Sequence, residues 1–122
     1  MNSKVNLAEA FGRFSDAWSP KVAGSVNGMD IRLAKFRGEF VWHYHEHEDE
    51  LFLVNKGRLL MRFRDGEVRL AAGEFIVVPW GVEHMPIAES EECEILTLSP
   101  HTLLNTGNVR NDRTIFQPGH LD

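Results

Sequence analysis

The sequence predicts an all-β sandwich or barrel with one short helix at its N-terminus. Three observations carry this. Apolar residues alternate with polar ones through several short segments, turn dipeptides separate those segments, and only residues near the N-terminus repeat at a helical period. Leu7, Phe11 and Phe14 supply that period. Asn6 with Glu9 has the layout of a capping box, and Trp18-Ser19-Pro20 is expected to end the helix. Residues 22–26 and 29–36 then read as strands flanking Asn27-Gly28, a strong two-residue hairpin signal. Gly38 breaks the chain, and residues 51–55 form a continuous apolar strand closed by Lys56-Gly57. In the next hairpin Leu59, Met61 and Phe63 point inward, Asp65-Gly66 turns the chain, and Val68 and Leu70 return on the same inward face. Gly73 turns it again before residues 75–78. A last strand over residues 95–98 stops at Ser99-Pro100, and the polar remainder is expected to wrap the body as a loop or short edge strand.

With 122 residues the chain suits one domain, and 43% hydrophobic with 25% charged residues is an ordinary globular balance. The formal net charge of -5 argues against nucleic-acid or anionic-membrane partners. Arg58, Arg62, Arg64 and Arg69 cluster, but Asp65 and Glu67 interleave with them as on a solvated sheet face. Cys93 is the sole cysteine, so no internal disulfide forms, and a small buried thiol is its expected role. No apolar stretch approaches membrane-spanning length, and the N-terminal residues lack the apolar core of a secretory signal. The expected location is the cytoplasm.

The segment from Trp42 to Phe52 packs three histidines and four acids against the start of an apolar strand. His43 and His45, at i and i+2, project from one face of an extended chain, with Tyr44 opposite. Glu50 follows after an odd number of residues, so residues 46–49 must turn or bulge before it rejoins that face. It would then share an inner face with Phe52 and Val54, where an unpaired carboxylate is costly unless a cation offsets it. His84 stands just past a turn framed by Gly73, Pro79 and Gly81. Three imidazoles and a carboxylate suit one divalent transition metal: Fe, Mn, Ni, Co, Cu or Zn. Glu46, His47, Glu48 and Asp49 read as a solvated acidic turn, and His101 and His120 as surface residues. His45 and His47 also stand at i and i+2, which makes that pair the alternative register.

These residues carry a resemblance. The pattern G-x5-H-x-H-x3/4-E-x6-G of the cupin superfamily is met by His43, His45, Glu50 and Gly57, with Gly38 one residue closer to His43 than the pattern asks. The second motif, G-x5-P-x-G-x2-H-x3-N, is met by Gly73, Pro79, Gly81 and His84, with Ala88 at the place of the terminal Asn. The chain thus resembles a small single-domain, type-2-like cupin, and also proteins labelled mannose-6-phosphate isomerase-like. The resemblance implies an antiparallel double-stranded β-helix, a jelly-roll barrel, as a single domain over residues 1–122. Its motif core would be 38–88, with a helix and arm over 1–20 and a tail over 101–122. It further implies His43, His45, Glu50 and His84 as the metal ligands, and a homodimer. Leu51 and Leu53, on the face opposite Glu50, also need covering by a further layer.

Four ligands on an ion that accepts six leave two positions for a small-molecule substrate or water. Phe52, Met61, Phe63, Trp80 and Met85 are the candidate pocket-lining residues, which makes the cavity apolar with the metal as its polar anchor. The leading expectation is a metal-dependent oxidoreductase of dioxygenase type acting on a small, partly apolar molecule. A non-enzymatic ligand- or metal-binding sensor is the alternative, since no general base stands out. A sugar-phosphate isomerase would need cations converging on a phosphate, whereas the hairpin arginines alternate outward.

Overall fold

The structure, a computed structural model, describes residues 3–121. Helix α1 (Leu7–Phe11) is a little over one turn, and Asn6 caps it by accepting a hydrogen bond from the Glu9 amide at 2.9 Å. It ends at Gly12 rather than at Trp18-Ser19-Pro20. Phe14, beyond the helix, still packs with Phe11 and Leu33 beneath it, so the apolar spacing marks burial of the arm rather than helix length.

Nine strands follow among the described residues: β1 (Lys21–Val26), β2 (Met29–Phe36), β3 (Glu50–Lys56), β4 (Arg58–Phe63), β5 (Gly66–Ala71), β6 (Phe75–Val78), β7 (His84–Ala88), β8 (Cys93–Pro100) and β9 (Gly119–His120). They form a six-stranded sheet, ordered β6-β3-β8-β2-β1-β9, and a three-stranded sheet, β5-β4-β7. This is a nearly all-β architecture of two sheets, as the strand and turn spacing calls for, in the jelly-roll form that the resemblance implies. Asn27 and Gly28 both have positive φ, 48° and 76°, as the tight β1–β2 turn requires. The tail closes the large sheet through β9, which pairs parallel with β1. Among the described residues no helix is long and apolar enough to cross a membrane.

Several local expectations shift. Phe63 pairs with Gly66, so the β4–β5 turn consists of Arg64 and Asp65, one residue earlier than expected. Val68 shares the inward face with its cross-strand partner Met61, yet it is 42% exposed because β5 is the free edge of the small sheet. Leu60 is buried on the face expected to be polar, where Arg69 and Ile87 flank it across the strands. β8 runs on through Ser99 to Pro100, and residues 84–88 form a strand that turn signals alone hid. Pro86 is tolerated there because β7 is an edge strand, closed on its open side only by irregular pairing with residues 38–43.

The core lies between the sheets, where Phe36, Phe52, Val54, Leu59, Met61, Leu70 and Ile95 pack with Trp18. Trp18 stacks on Phe36 and Phe40 with ring centroids 4.3 and 4.6 Å away. It holds a positive φ of 59°, which a bulky side chain adopts only when its surroundings enforce it. Residues 101–118 then cross the barrel end. Arg32 Nη1 and Nη2 donate to the carbonyls of Leu103 and His101. Gly107 passes so close to the His43–Tyr44 backbone that a Cβ there would run into the Tyr44 carbonyl and crowd the His43 ring.

Two glycine substitutions separate strain from clash. Gly28→Ala meets open space and pays only for positive φ, about 1 kcal/mol. Gly107→Ala combines positive φ with a backbone collision and is expected to cost roughly 3 kcal/mol or more. Denaturant titrations of both variants against the parent check the order.

Candidate metal centre

The site forms where an irregular stretch meets a regular strand. His43 and His84 exchange both backbone hydrogen bonds, at 3.0 and 2.8 Å, which sets their side chains next to each other. Their ring centroids lie 4.3 Å apart. His45, two residues on, brings its ring to 5.1 Å from His43 and 5.6 Å from His84. The Gly81 amide donates to the His45 carbonyl at 2.7 Å, and the Trp80 amide to Asp49 Oδ1 at 2.9 Å, so the two sequence motifs are tied together. Asp49 is therefore part of the scaffold, as is Glu48, which accepts from Thr102 Oγ1. Neither is merely a solvated acid of the turn.

Residues 39–45 make only isolated bridges, yet the expected inward projection of both histidines and the half-buried, opposite placement of Tyr44 survive. Glu50 opens β3, and the burial of Glu50, Phe52 and Val54 alternates with the half-buried residues between them. Its Oε1 is 3.2 Å from His45 Nε2, without hydrogen-bond alignment.

The hydrogen bonds fix the chemistry of these groups. His43 Nδ1 lies 2.8 Å from the Val41 carbonyl and His84 Nδ1 lies 2.8 Å from the Val82 carbonyl. A carbonyl only accepts, so Nδ1 carries the proton in both rings and Nε2 is left with its lone pair. Burial, reinforced by the neighbouring His84, pushes the His43 pKa down to about 3. Burial also lowers that of His84, against the opposing pull of the Val82 carbonyl and Glu50. Both rings are thus neutral at pH 7. His84 Nε2 and both His45 nitrogens have no hydrogen-bond partner in the protein. One ligand atom from each of His43, His45 and His84 falls within 4.8 Å of the others. Buried lone pairs facing one another repel unless something positive lies between them. Imidazole nitrogens with an adjacent carboxylate fit a borderline divalent ion, so the three buried histidines are positioned to bind a metal.

Two openings flank the cluster. A cavity of about 30 Å³, room for a water molecule or two, is bordered by His43, Glu50, Phe52, Phe36, Phe40 and Trp18. A polar cleft of about 290 Å³ reaches His45 between Glu46 and Glu48 on one side and Thr102, Asn108 and Arg110 on the other. Of the expected pocket residues, only Phe52 borders the inner cavity. Met61 is fully buried in the core, Met85 is buried and Phe63 half-buried, and none of these three lines either opening. Trp80 is 64% exposed beside Glu46 and His47. The inner cavity is also less uniformly apolar than expected, because Arg32, Thr97 and Asn105 line it. Arg32 is engaged by Asp30 Oδ2 at 3.0 and 3.2 Å as well as by the two carbonyls. Its inward placement was available from its parity with Ala34 and Phe36, although Leu33 and Ile31 make the other face equally apolar. The remaining side chains behave as surface or core: Glu83 is paired with Arg64 at 2.8 Å, and Cys93 is buried and donates to the Arg58 carbonyl.

Because His43 is neutral in the fold but titrates near 6.5 when unfolded, the unfolded chain binds more protons between these values. Stability of chelator-treated protein is therefore expected to fall as pH drops from 6.5 towards 3. A His43→Phe variant is expected to show a shallower decline over that window. Thermal melts at a series of pH values measure both slopes.

Comparison with known proteins places this geometry. The family model described as Cupin domain matches residues 31–100. An uncharacterized protein of Bacillus subtilis (strain 168), YdbB, is 45% identical over 85 residues, 69% of this chain and 75% of that one. A crystal structure of a cupin-2 domain containing protein from Shewanella frigidimarina superposes with a TM-score of 0.77 at 43% identity, covering 80% of this chain and 94% of the other. Protein NMB1881 of Neisseria meningitidis gives a TM-score of 0.72 at 26% identity, over 80% and 99% of the two chains.

Proposed function

The chain belongs to the cupin family, and from that premise we propose that it is a metal-dependent enzyme of oxidoreductase, dioxygenase-like type acting on a small, partly apolar molecule. His43, His45 and His84 through Nε2, and Glu50 through its carboxylate, would hold one divalent ion: Fe, Mn, Ni, Co, Cu or Zn. The observation that carries this reading is three buried imidazoles whose His45 and His84 nitrogens face one another without hydrogen-bond partners, next to a cavity. When bound, the ion supplies Lewis acidity and, if redox-active, electron transfer at the positions the protein leaves open. The chain does the rest. The Val41 and Val82 carbonyls hold two imidazoles in orientation. Phe36, Phe40 and Phe52 narrow the inner cavity to the space of a water molecule or two, and the polar cleft beside His45 offers an approach.

A non-catalytic binding or sensing role is the second reading. It is favoured by the lack of a proton-transfer group at the cavity: Asp30 and Arg32 neutralise each other, Glu83 is paired outside, and Tyr44 faces away. The same engagement of Arg32, the one cation among the described residues lining the inner cavity, leaves little to grip a phosphate and counts against sugar-phosphate isomerisation. Oxygen consumption with a candidate substrate would separate catalysis from binding.

A second copy of this chain would fit the outer face of the large sheet. The register sets Leu51 beside Leu98, with Val77 and Ile31 on either side, and sets Leu53 beside Leu96. Phe75, at the edge, is 63% exposed. Such a stripe is the kind of surface that homodimers cover, with about 800 Å² buried per partner.

Elemental analysis of protein purified without chelator or His-tag is expected to find about one transition-metal ion per chain, lost in His84→Ala. Absence of uptake by both folded proteins would remove the ligand assignment. Light scattering is expected to give a dimer that Leu98→Glu converts to monomer while the metal stays bound.

A further inference from the structure

Among the described residues four buried side-chain polar atoms lack a hydrogen-bond partner. Three are the imidazole nitrogens of His45 and His84, and the fourth is Ser99 Oγ. Ser99 is 0% exposed. It lies on β8, whose inward residues are Cys93, Ile95, Thr97 and Ser99. On β3 the matching inward residues are Val54, Phe52 and Glu50, with Val54 opposite Ile95 and Phe52 opposite Thr97. One further step of that antiparallel register sets Ser99 opposite Glu50. On its other side Ser99 pairs with Asp30, whose Oδ2 already accepts both Nε and Nη2 of Arg32. A hydroxyl sealed from water with no partner is destabilising, and alanine would fill the same place without that cost. The hydroxyl is therefore expected to have a partner when the site is in its working state, and of the two adjacent carboxylates Asp30 is already held by Arg32 whereas Glu50 accepts no hydrogen bond from the described residues.

We propose that Ser99 is a positioning residue for the metal centre: its hydroxyl donates to the Glu50 oxygen turned away from the ion and so determines which oxygen meets the histidines. The proposal rests on the metal-centre reading above. It gives Glu50 the counterpart of what the Val41 and Val82 carbonyls give His43 and His84, an outer partner that fixes the ligand's orientation. Removing such a partner typically weakens metal affinity by about tenfold or more.

The test is Co(II) titration of the full chain, followed by visible absorption and by competition with a chelator, together with thermal melts of the metal-free proteins. Ser99→Ala is expected to bind Co(II) about tenfold more weakly with altered absorption bands, while its metal-free melting temperature stays level or rises. Ser99→Thr, which keeps the hydroxyl, is expected to restore affinity to within a few-fold of the parent. A hydroxyl needed only for packing would show the reverse, lower metal-free stability with unchanged affinity, and that result overturns the proposal. So does a folded Ser99→Thr that binds as weakly as Ser99→Ala, or a Ser99→Ala too unstable to fold. Failure of the parent itself to bind Co(II) would instead remove the metal-centre reading on which the proposal stands.

Discussion

The structure turns on a repulsion. Three imidazoles and a carboxylate are gathered out of water with their lone pairs converging, and hydrogen bonds to Val41 and Val82 prevent two of the rings from turning a proton inward. Such a group is unfavourable by itself, so the surrounding fold must impose it. The imposition is visible in the backbone. His43 and His84 are locked as a hydrogen-bonded cross-strand pair, the Gly81 amide holds the His45 carbonyl, and Asp49 anchors the Trp80 amide.

The barrel interior is layered to accommodate this. Rows across the large sheet run from Asp30, Ser99 and Glu50 at one end, through Arg32, Thr97 and Phe52, to Ala34, Ile95 and Val54. The polar rows sit at the site and the apolar rows form the core proper. The tail completes the polar end. Arg32 holds the carbonyls of His101 and Leu103, Asn108 accepts from the Tyr44 amide, and Arg113 lies over the rings of Trp18 and Phe40. A segment with weak sequence periodicity thus helps to close the histidine cluster, and the near contact at Gly107 sets how tightly it can do so.

Much of this was legible in residue order. Asn27-Gly28, the Asn6 cap, and the alternation through residues 50–54 report local sterics and burial, which sequence encodes directly. The i, i+2 spacing of His43 and His45 reports a shared face because extended chain repeats every two residues, whereas His84 was placed beside them by the turn before it and by the family resemblance, and Glu50 was expected to need a bulge. What escaped was decided by contacts distant in sequence. Val68 shares the inward face as read, but its exposure at the sheet edge is not written in the alternation. Residues 84–88, which follow a turn and carry no strand pattern of their own, pair with β4. The inward face of β8 could not be chosen, because Leu96 and Leu98 make its outward face the more apolar one. Arg32 and Ser99 were passed over for the same reason: a period-2 pattern identifies two faces, and only the tertiary fold says which is inside.

The most direct test of the central claim is anomalous diffraction from crystals of the metal-loaded protein. The account predicts one strong peak per chain at coordination distance, about 2.0–2.3 Å, from the Nε2 atoms of His43, His45 and His84 and from a Glu50 oxygen. A peak at other residues, or none where elemental analysis finds metal, would contradict it and require another explanation for the buried lone pairs.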